Sequence, residues 1–485
     1  MKIGKFWRNV RWLLLISWLA TGLWQTHKPM PAGTHISTAP VVLAEQDVRF
    51  LFDLTYRTGA DEPVYEQRIF DAAFAMIDSA QRFMVLDFFL FNDAMGDAAH
   101  RRLSRELADR LLARKRTRPE LHILLITDPI NDVYGGNPSA LLAELRGAGI
   151  DVVPTALPAL RDSNPAYSAV WRGLLQWWGN SPGGWLPDPF DRKGPAVSLR
   201  SWLALLNFKA NHRKVLVADD AAGQWSALIT SANPHDASSS HSNVAVIVKG
   251  RLAKDILDSE LGVARFSDWV EYFDTGTAPV ETPVDRGVEA VYVTEGAIRE
   301  RLLRAIDATR QGDAIGMAMF YLADRDIVEA LLAAAARGAQ ARLILDPNRD
   351  AFGLDKNGIP NRPVANELVR KSQGAIQVRW YRTHGEQFHT KLTFIRRADR
   401  FAASLGSANL TRRNIGDYNL EANVQLLTST ETPLARDITT YFERLWSGTS
   451  PDGAEYTAPF EIWRDESQFR YWLYRFMEAT GFSTF

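Results

Sequence analysis

The chain has 485 residues, more than one hydrophobic core usually organises, and 46% of them are hydrophobic and 23% charged, as in an ordinary globular protein. A formal net charge of -1 supplies no global basic field and so argues against a nucleic-acid partner. With no cysteine, disulfides, zinc–thiolate sites, a thiol nucleophile and a lipid-modified N-terminal Cys are excluded.

Taken in order, Lys2, Lys5, Arg8 and Arg11 precede an apolar run over 12–20 that extends loosely to Trp24. A basic start with a short apolar core predicts a secretory signal or signal anchor over 1–25. The run is shorter than the about 20 apolar residues of a comfortable membrane span. Ala20, Thr21 and Gly22 offer a cleavage point, although Leu23 and Trp24 prolong the apolar character. An amphipathic helix lying on a membrane or packed on the domain is the alternative. Basic residues stay inside, so the bulk of the chain is expected outside the cytoplasm, anchored or exported in the cell envelope. Residues 26–44, with several Pro, Thr and Ala, read as a linker.

Beyond it the chain repeats itself. The first half predicts a helix over 69–77, a buried strand over 83–91, a charged helix over 98–115 and a strand over 121–127 closed by Asp128-Pro129. A helix over 140–147 and a strand over 150–153 follow. The second half runs in the same order: helix 298–309, strand 314–321, helix 327–337, strand 341–345 closed by Asp346-Pro347, helix 364–371, strand 376–381. Strands alternating with helices predict an α/β sheet in each half, with domains over 45–275 and 276–485. The halves differ between about 155 and 205, where an insertion carries Trp171, Trp177, Trp178, Trp185 and Trp202. Such a segment reads as a lid, an acyl-chain contact or an interface anchor, or else as a satellite core under a long loop. The aromatic C-terminal stretch 469–476 poses the same choice, and its helical spacing favours packing on the domain.

One pattern occurs in both halves. His212 and Lys214 stand two apart before the apolar run 215–218 and Asp219, followed by Thr230-Ser231-Ala232-Asn233. His389 and Lys391 precede 392–395, followed by Gly406-Ser407-Ala408-Asn409. On a strand, residues two apart share a face. The second copy has Arg396 where the first has Asp219, and Asp399 stands at the usual interval to Gly406, which reads as a small insertion. Cleaving a phosphodiester through a covalent intermediate requires a nucleophile, a proton donor and cations for the phosphoryl oxygens. Two imidazoles can divide the first two roles, and two lysines supply charge without a metal ion. Asn and Ser side chains add hydrogen bonds, and each half contributes one set, so the site is expected at the seam.

The paired motif resembles the phospholipase D superfamily, over most of the chain after about residue 45. The resemblance implies two tandem α-β-α sandwich domains forming a pseudo-dimer with one active site and no metal or other cofactor. It implies that one His is phosphorylated, more often that of the N-terminal motif, here His212, while His389 serves as general acid and base. It places Lys214, Lys391, Asp219 and a weakly assigned Asp399 with them, and Ser231, Asn233, Ser407 and Asn409 on the substrate phosphate. Equal spacings from Asn233 and Asn409 align Ala245 with Glu421, which makes Glu421 the orienting acid of the second half and leaves the first without one. Phe208 before Asn211-His212-Arg213-Lys214 is similar to the context in cardiolipin synthases. Three functions follow as expectations. The first is a phosphatidyl-transferring or phospholipid-hydrolysing enzyme at a membrane surface, as in bacterial cardiolipin synthases and phospholipases D. The second is a nuclease or other phosphodiesterase. The third is a non-catalytic lipid-binding member, motivated by Arg396 and Ala245.

Overall fold

The computed structural model describes residues 2–59, 62–94, 100–191, 193–271, 273, 287–351, 354–450, 453–483 and 485. Two mixed sheets of eight and nine strands form its frame. In the first, Phe83–Phe88, His122–Thr127 and Asp151–Pro154 run parallel. Lys214–Asp219 pairs antiparallel with Phe83–Phe88, and Trp225–Thr230, Asn243–Lys249, Val48–Arg57 and Pro63–Glu66 continue outward. The second sheet repeats this with Ala314–Met319, Gln340–Leu345 and Ile376–Tyr381 parallel, then Lys391–Arg396, Arg400–Gly406, Ala422–Ser429 and Val288–Thr294 antiparallel. The chain is α/β, with the same strand plan in each half.

The strand residues explain the layering. Along Lys214–Asp219, Val215 and Val217 point into one apolar core, whereas Leu216 and Ala218 point into another on the opposite face. β-branched runs buried on both faces are what the interior of such a sheet requires. A third core covers the outer face of the second sheet. The central core is shared, since it contains Val215 and Val244 from one half and Leu392 and Val424 from the other. Two helices not anticipated from sequence, Arg251–Phe266 and Pro433–Trp446, lie in that central layer. The first buries Leu252, Ile256, Leu257 and Val263 completely, each contributing about 1.5–3 kcal/mol. A layer shared in this way makes the halves one body.

Several expectations need correction. The stretch read as a linker is partly built in: Val41–Leu43 adds an edge strand to the second sheet beside Val288–Thr294. The first sheet therefore begins only at Val48, after the chain has crossed the other half. The charged helix spans Leu103–Thr117, and the 98–99 start expected for it lies outside the described residues. The boundary expected at 275–276 falls in 274–286, also outside them.

The N-terminal stretch is a helix, Lys2–His27. Its last turns pack on the short helix Pro165–Val170, where Trp18 donates its indole N–H to Ala166 (2.9 Å). No helix among the described residues is long and apolar enough to cross a membrane. The insertion divides by role: Trp171 and Trp202 are half-buried, while Trp177, Trp178 and Trp185 are exposed. The C-terminal helix Gln468–Thr480 buries Tyr474 but exposes Phe469, Trp472 and Phe476. Gly481 ends it in a left-handed conformation (φ 72°), and a Cβ there would fall 2.0 Å from the Ser163 carbonyl oxygen. That contact sets the end of the C-terminal helix beside the start of Pro165–Val170.

Candidate active site

Each motif histidine sits just before its strand, on a segment that pairs with the other half. Asn211 bridges Leu420 in parallel, and the His212 N–H donates to the Leu420 carbonyl (2.9 Å). In the symmetric arrangement Phe388 bridges Ser242, and the Ser242 N–H donates to Gln387 (3.1 Å). The Asp-Pro pairs that aligned the halves hold these segments from below. Asp128 accepts the Asn211 N–H (2.7 Å) and Asp346 the Phe388 N–H (2.8 Å). Burial pushes both carboxyls up to about 7. These two anchors were visible as repeats in the sequence but not as supports.

Strand alternation then sorts the motif. Arg213 continues the row of Val215 and Val217, so its guanidinium enters the central layer. There it meets Glu260 (3.2 Å) and Glu295 (2.8 Å), all three side chains fully buried. Glu295 also accepts the Glu421 N–H (3.1 Å). His212 and Lys214 take the other face, as their spacing predicts. Lys214 donates to the His212 carbonyl (2.7 Å) and Lys391 to that of His389 (2.9 Å). Phe89 packs on His212 at 5.0 Å between ring centres and Phe320 on His389 at 4.9 Å. The ammonium groups lie 5.3 Å and 5.0 Å from the same rings. Sequence reading missed both phenylalanines, which close the strands Phe83–Phe88 and Ala314–Met319 in matching positions.

The orienting residues cross the seam, which corrects the assignment of Glu421. Its Oε1 lies 2.7 Å from His212 Nδ1. Since a carboxylate only accepts, Nδ1 carries the proton and Nε2 keeps its lone pair. His389 Nδ1 instead faces Asn243 Oδ1 (3.1 Å). Asn243 is the true counterpart of Glu421, because Thr230 pairs with Ala245 where Gly406 pairs with Asn423. The connection in the second half is two residues longer and includes the turn Arg412–Ile415, so counting from the asparagines overshot to Ala245. Ser407 and Asn414 donate to Glu421, and Ser231 donates to Asn243 (2.9 Å). The serines expected on phosphate therefore brace the orienting residues. Asn233 and Asn409 do line the cavity between the histidines.

Asp219 is also reassigned. It stands five residues beyond Lys214, about 17 Å along the strand, and Oδ1 accepts the N–H groups of Gln81 and Arg82 (3.0 Å each) and Phe83 (3.3 Å). With the Arg82 ion pair (3.1 Å), it fixes the turn into Phe83–Phe88 and does not touch the site. The second half uses the reverse polarity, with Arg397 near Asp313 (3.6 Å) and donating to Ala305. Lys391 to Gly406 is one residue shorter than Lys214 to Thr230, so no insertion exists and Asp399 is an exposed turn residue.

The cavity has a volume of about 970 Å³ and is walled by both histidines, aromatic side chains and the insertion's Asp188–Asp191 region. Burial, reinforced by Lys214 and opposed by Glu421, pushes His212 down to about 4. Burial and the neighbouring Lys391 hold His389 well below its usual range. Lys214 is pushed down to about 7 by burial. In Glu421 burial is outweighed by His212 and Lys214, so its carboxyl lies below the usual range. Such a site is short of a counter-anion and chemically suited to a phosphoryl group. No group of His, Asp or Glu among the described residues could hold a metal ion.

Known proteins share parts of this fold. Residues 302–446 match the family described as "Cardiolipin synthase, PLD-like domain". No curated protein matches the chain. A phosphatidylserine synthase from Haemophilus influenzae Rd KW20 is similar in structure, with a TM-score of 0.58 at 11% identity, covering 90% of this chain and 94% of that one. At that identity the likeness is one of fold. A polyphosphate kinase from Porphyromonas gingivalis aligns at a TM-score of 0.45 and 12% identity, over 90% of this chain and 53% of its own. Nuc from Salmonella typhimurium, a phospholipase D family member, aligns at 0.27 and 21% identity, over 36% of this chain and 98% of its own.

Proposed function

We propose that this chain is a phospholipase D superfamily enzyme that cleaves the phosphodiester of a phospholipid and passes the phosphatidyl group to an alcohol or to water. The observation that carries the reading is the pair of imidazoles facing one cavity, each oriented through Nδ1 by a residue of the opposite half. His212 Nε2 attacks phosphorus, and the bond to the leaving oxygen breaks as His389 gives that oxygen its proton. Glu421 stabilises the positive charge that His212 acquires in the phosphoenzyme. His389 then removes a proton from the incoming hydroxyl, whose oxygen displaces His212 and returns it to the neutral form. The assignment of nucleophile rests on the difference in backing. An anion behind His212 favours the His that must become cationic, and a neutral amide behind His389 keeps it a stronger acid.

The membrane surface is the proposed environment. Trp7 and Trp12 on the N-terminal helix, Trp177 and Trp185 on the insertion, and Trp472 on the C-terminal helix are all exposed. Such residues suit a bilayer interface, and Lys5, Arg8 and Arg11 add attraction to anionic lipid.

Mass spectrometry of products from phosphatidylglycerol vesicles, with His212→Ala as the control, tests the reading. Cardiolipin with glycerol identifies a transferase, and phosphatidic acid a hydrolase. Neither product, in a protein that still cleaves a soluble diester, overturns the phospholipid assignment.

A further inference from the structure

The loop between Asn233 and Asn243 brings a third imidazole to the reaction centre. His241 is 4% exposed, lines the same cavity as His212 and His389, and has its ring centre 5.8 Å from that of His389. Its backbone is held on both sides. The Thr55 hydroxyl donates to the Ser240 carbonyl (2.6 Å), and the Ser242 N–H donates across the seam to the Gln387 carbonyl (3.1 Å). Asn243 Nδ2 donates to the His241 carbonyl (3.0 Å), while Oδ1 of the same side chain faces His389 Nδ1 (3.1 Å). One amide therefore ties the backbone of His241 to the ring of His389. Earlier in the loop, His235 Nε2 donates to the Ala94 carbonyl (2.8 Å), and Asp236 accepts the Ser104 N–H and hydroxyl (2.9 and 2.7 Å).

The second half places no imidazole in the matching position. Because Asn243 corresponds to Glu421, His241 corresponds to Asn419, whose Oδ1 accepts the Ala210 N–H (3.0 Å). The extra ring thus stands beside the proton-transferring histidine and not beside the nucleophile. Burial, with His235, Lys391, His100 and Lys356 around it, holds His241 well below its usual range. A neutral imidazole presents one N–H and one lone pair. An oxygen about 2.9 Å from a ring nitrogen lies about 4 Å from that ring's centre, so a single oxygen fits between two rings 5.8 Å apart.

We propose that His241 is a further catalytic residue, whose N–H holds the oxygen that leaves, and then the oxygen that enters, beside His389. As the bond from phosphorus to the leaving oxygen breaks, that oxygen takes the His389 proton and gathers negative charge, which the His241 N–H stabilises. The incoming hydroxyl later gives its proton to His389 and one lone pair to phosphorus, and its second lone pair accepts the same N–H. His241 stays neutral throughout and neither gains nor loses a proton. The inference rests on the two histidines being the reaction centre, and it deepens that reading.

The test uses the full chain in detergent and a series of soluble aryl methyl phosphates, with leaving groups from p-nitrophenol to phenol. Their kcat/KM values report the step in which the aryl oxygen departs. p-Nitrophenolate leaves with little help, so His241→Phe, which keeps a ring but has no N–H, should cost about twofold or less there. On the phenyl ester the loss should reach about tenfold, the worth of one hydrogen bond to a charged oxygen. The dependence on leaving group therefore steepens, and His241→Gln, which restores an N–H donor, should bring most of the wild-type slope back. Because the slope compares rates within one protein, partial misfolding does not alter it. An equal loss across the series, an unchanged slope in His241→Phe, or no recovery in His241→Gln overturns the role. A second arm follows turnover of phosphatidylglycerol vesicles by the wild type. Lipid turnover with a slope indifferent to His241 removes His241 alone. A slope that depends on His241, without lipid turnover, overturns the phospholipid reading and leaves His241 in place.

Discussion

Glu421→Gln isolates the part of the mechanism that depends on the seam. The substitution keeps the shape and the hydrogen-bond acceptor opposite His212 but removes the anion. Glu421 and His212 are in contact at 2.7 Å, with the carboxylate fully buried. At an effective dielectric near 20, unit charges about 4 Å apart attract by about 4 kcal/mol. That attraction exists only while His212 is cationic, in the phosphoenzyme and the transition states beside it. Its loss should lower kcat by about 10²–10³-fold, given that Ser407 and Asn414 still hold the amide in place. Asn243→Ala behind His389 removes a neutral hydrogen bond worth about 0.5–1.5 kcal/mol, so the loss there should be about tenfold or less. Stopped-flow bursts and alkali-quenched phosphoenzyme, measured on a chromogenic diester, give both numbers. If Glu421→Gln stays within about threefold of wild type, or if Asn243→Ala is the more damaging, the division of roles is wrong.

Lys214 supplies part of the pH dependence. Its ammonium, held down to about 7 by burial, is charged below that pH and neutral above it. In the free enzyme Lys214 should therefore add to the fall of kcat/KM as pH rises through about 7, beyond the fall already set by deprotonation of His389, and Lys214→Arg should remove that added steepness; an unchanged profile would assign it to another group. Asp219→Asn should lower stability by about 1–3 kcal/mol in denaturant titrations, by weakening three backbone contacts. Asp399→Ala should stay within about 0.5 kcal/mol, and a larger effect for Asp399 than for Asp219 contradicts the placement of both. Arg213→Met leaves Glu260 and Glu295 buried without their cation and should cost about 3–5 kcal/mol. A cost below about 1 kcal/mol would mean those carboxylates are neutral already.

The repeat was legible because it is written in local patterns: apolar runs at strand length, His and Lys two apart, Asp-Pro at equivalent strand ends. The sharing of one face by His212 and Lys214 follows from strand periodicity alone. What lies opposite each histidine does not, because Glu421 and Asn243 reach it from the other half, and no spacing along the chain encodes that approach. Counting from Asn233 and Asn409 failed for a related reason. Loops change length without disturbing the sheet, and only the pairing of Thr230 with Ala245 and of Gly406 with Asn423 sets the true alignment. Asp219 misled differently. A carboxylate in a motif reads as chemistry, although its position at the far end of a strand makes it a support for three backbone amides. The stretch 26–44 has linker composition, yet Val41–Leu43 finds an edge to pair with.

His212 and Glu421 are 209 residues apart in the chain. During synthesis the first half therefore emerges with nothing behind its histidine. Translation at about 5–20 residues per second puts about 10–40 s between the two. A nascent chain passing close to lipid in that interval would carry an idle imidazole, and the centre would be armed only when the second sheet has folded onto the first. The crossing of the seam thus ties the centre to the folding of both halves.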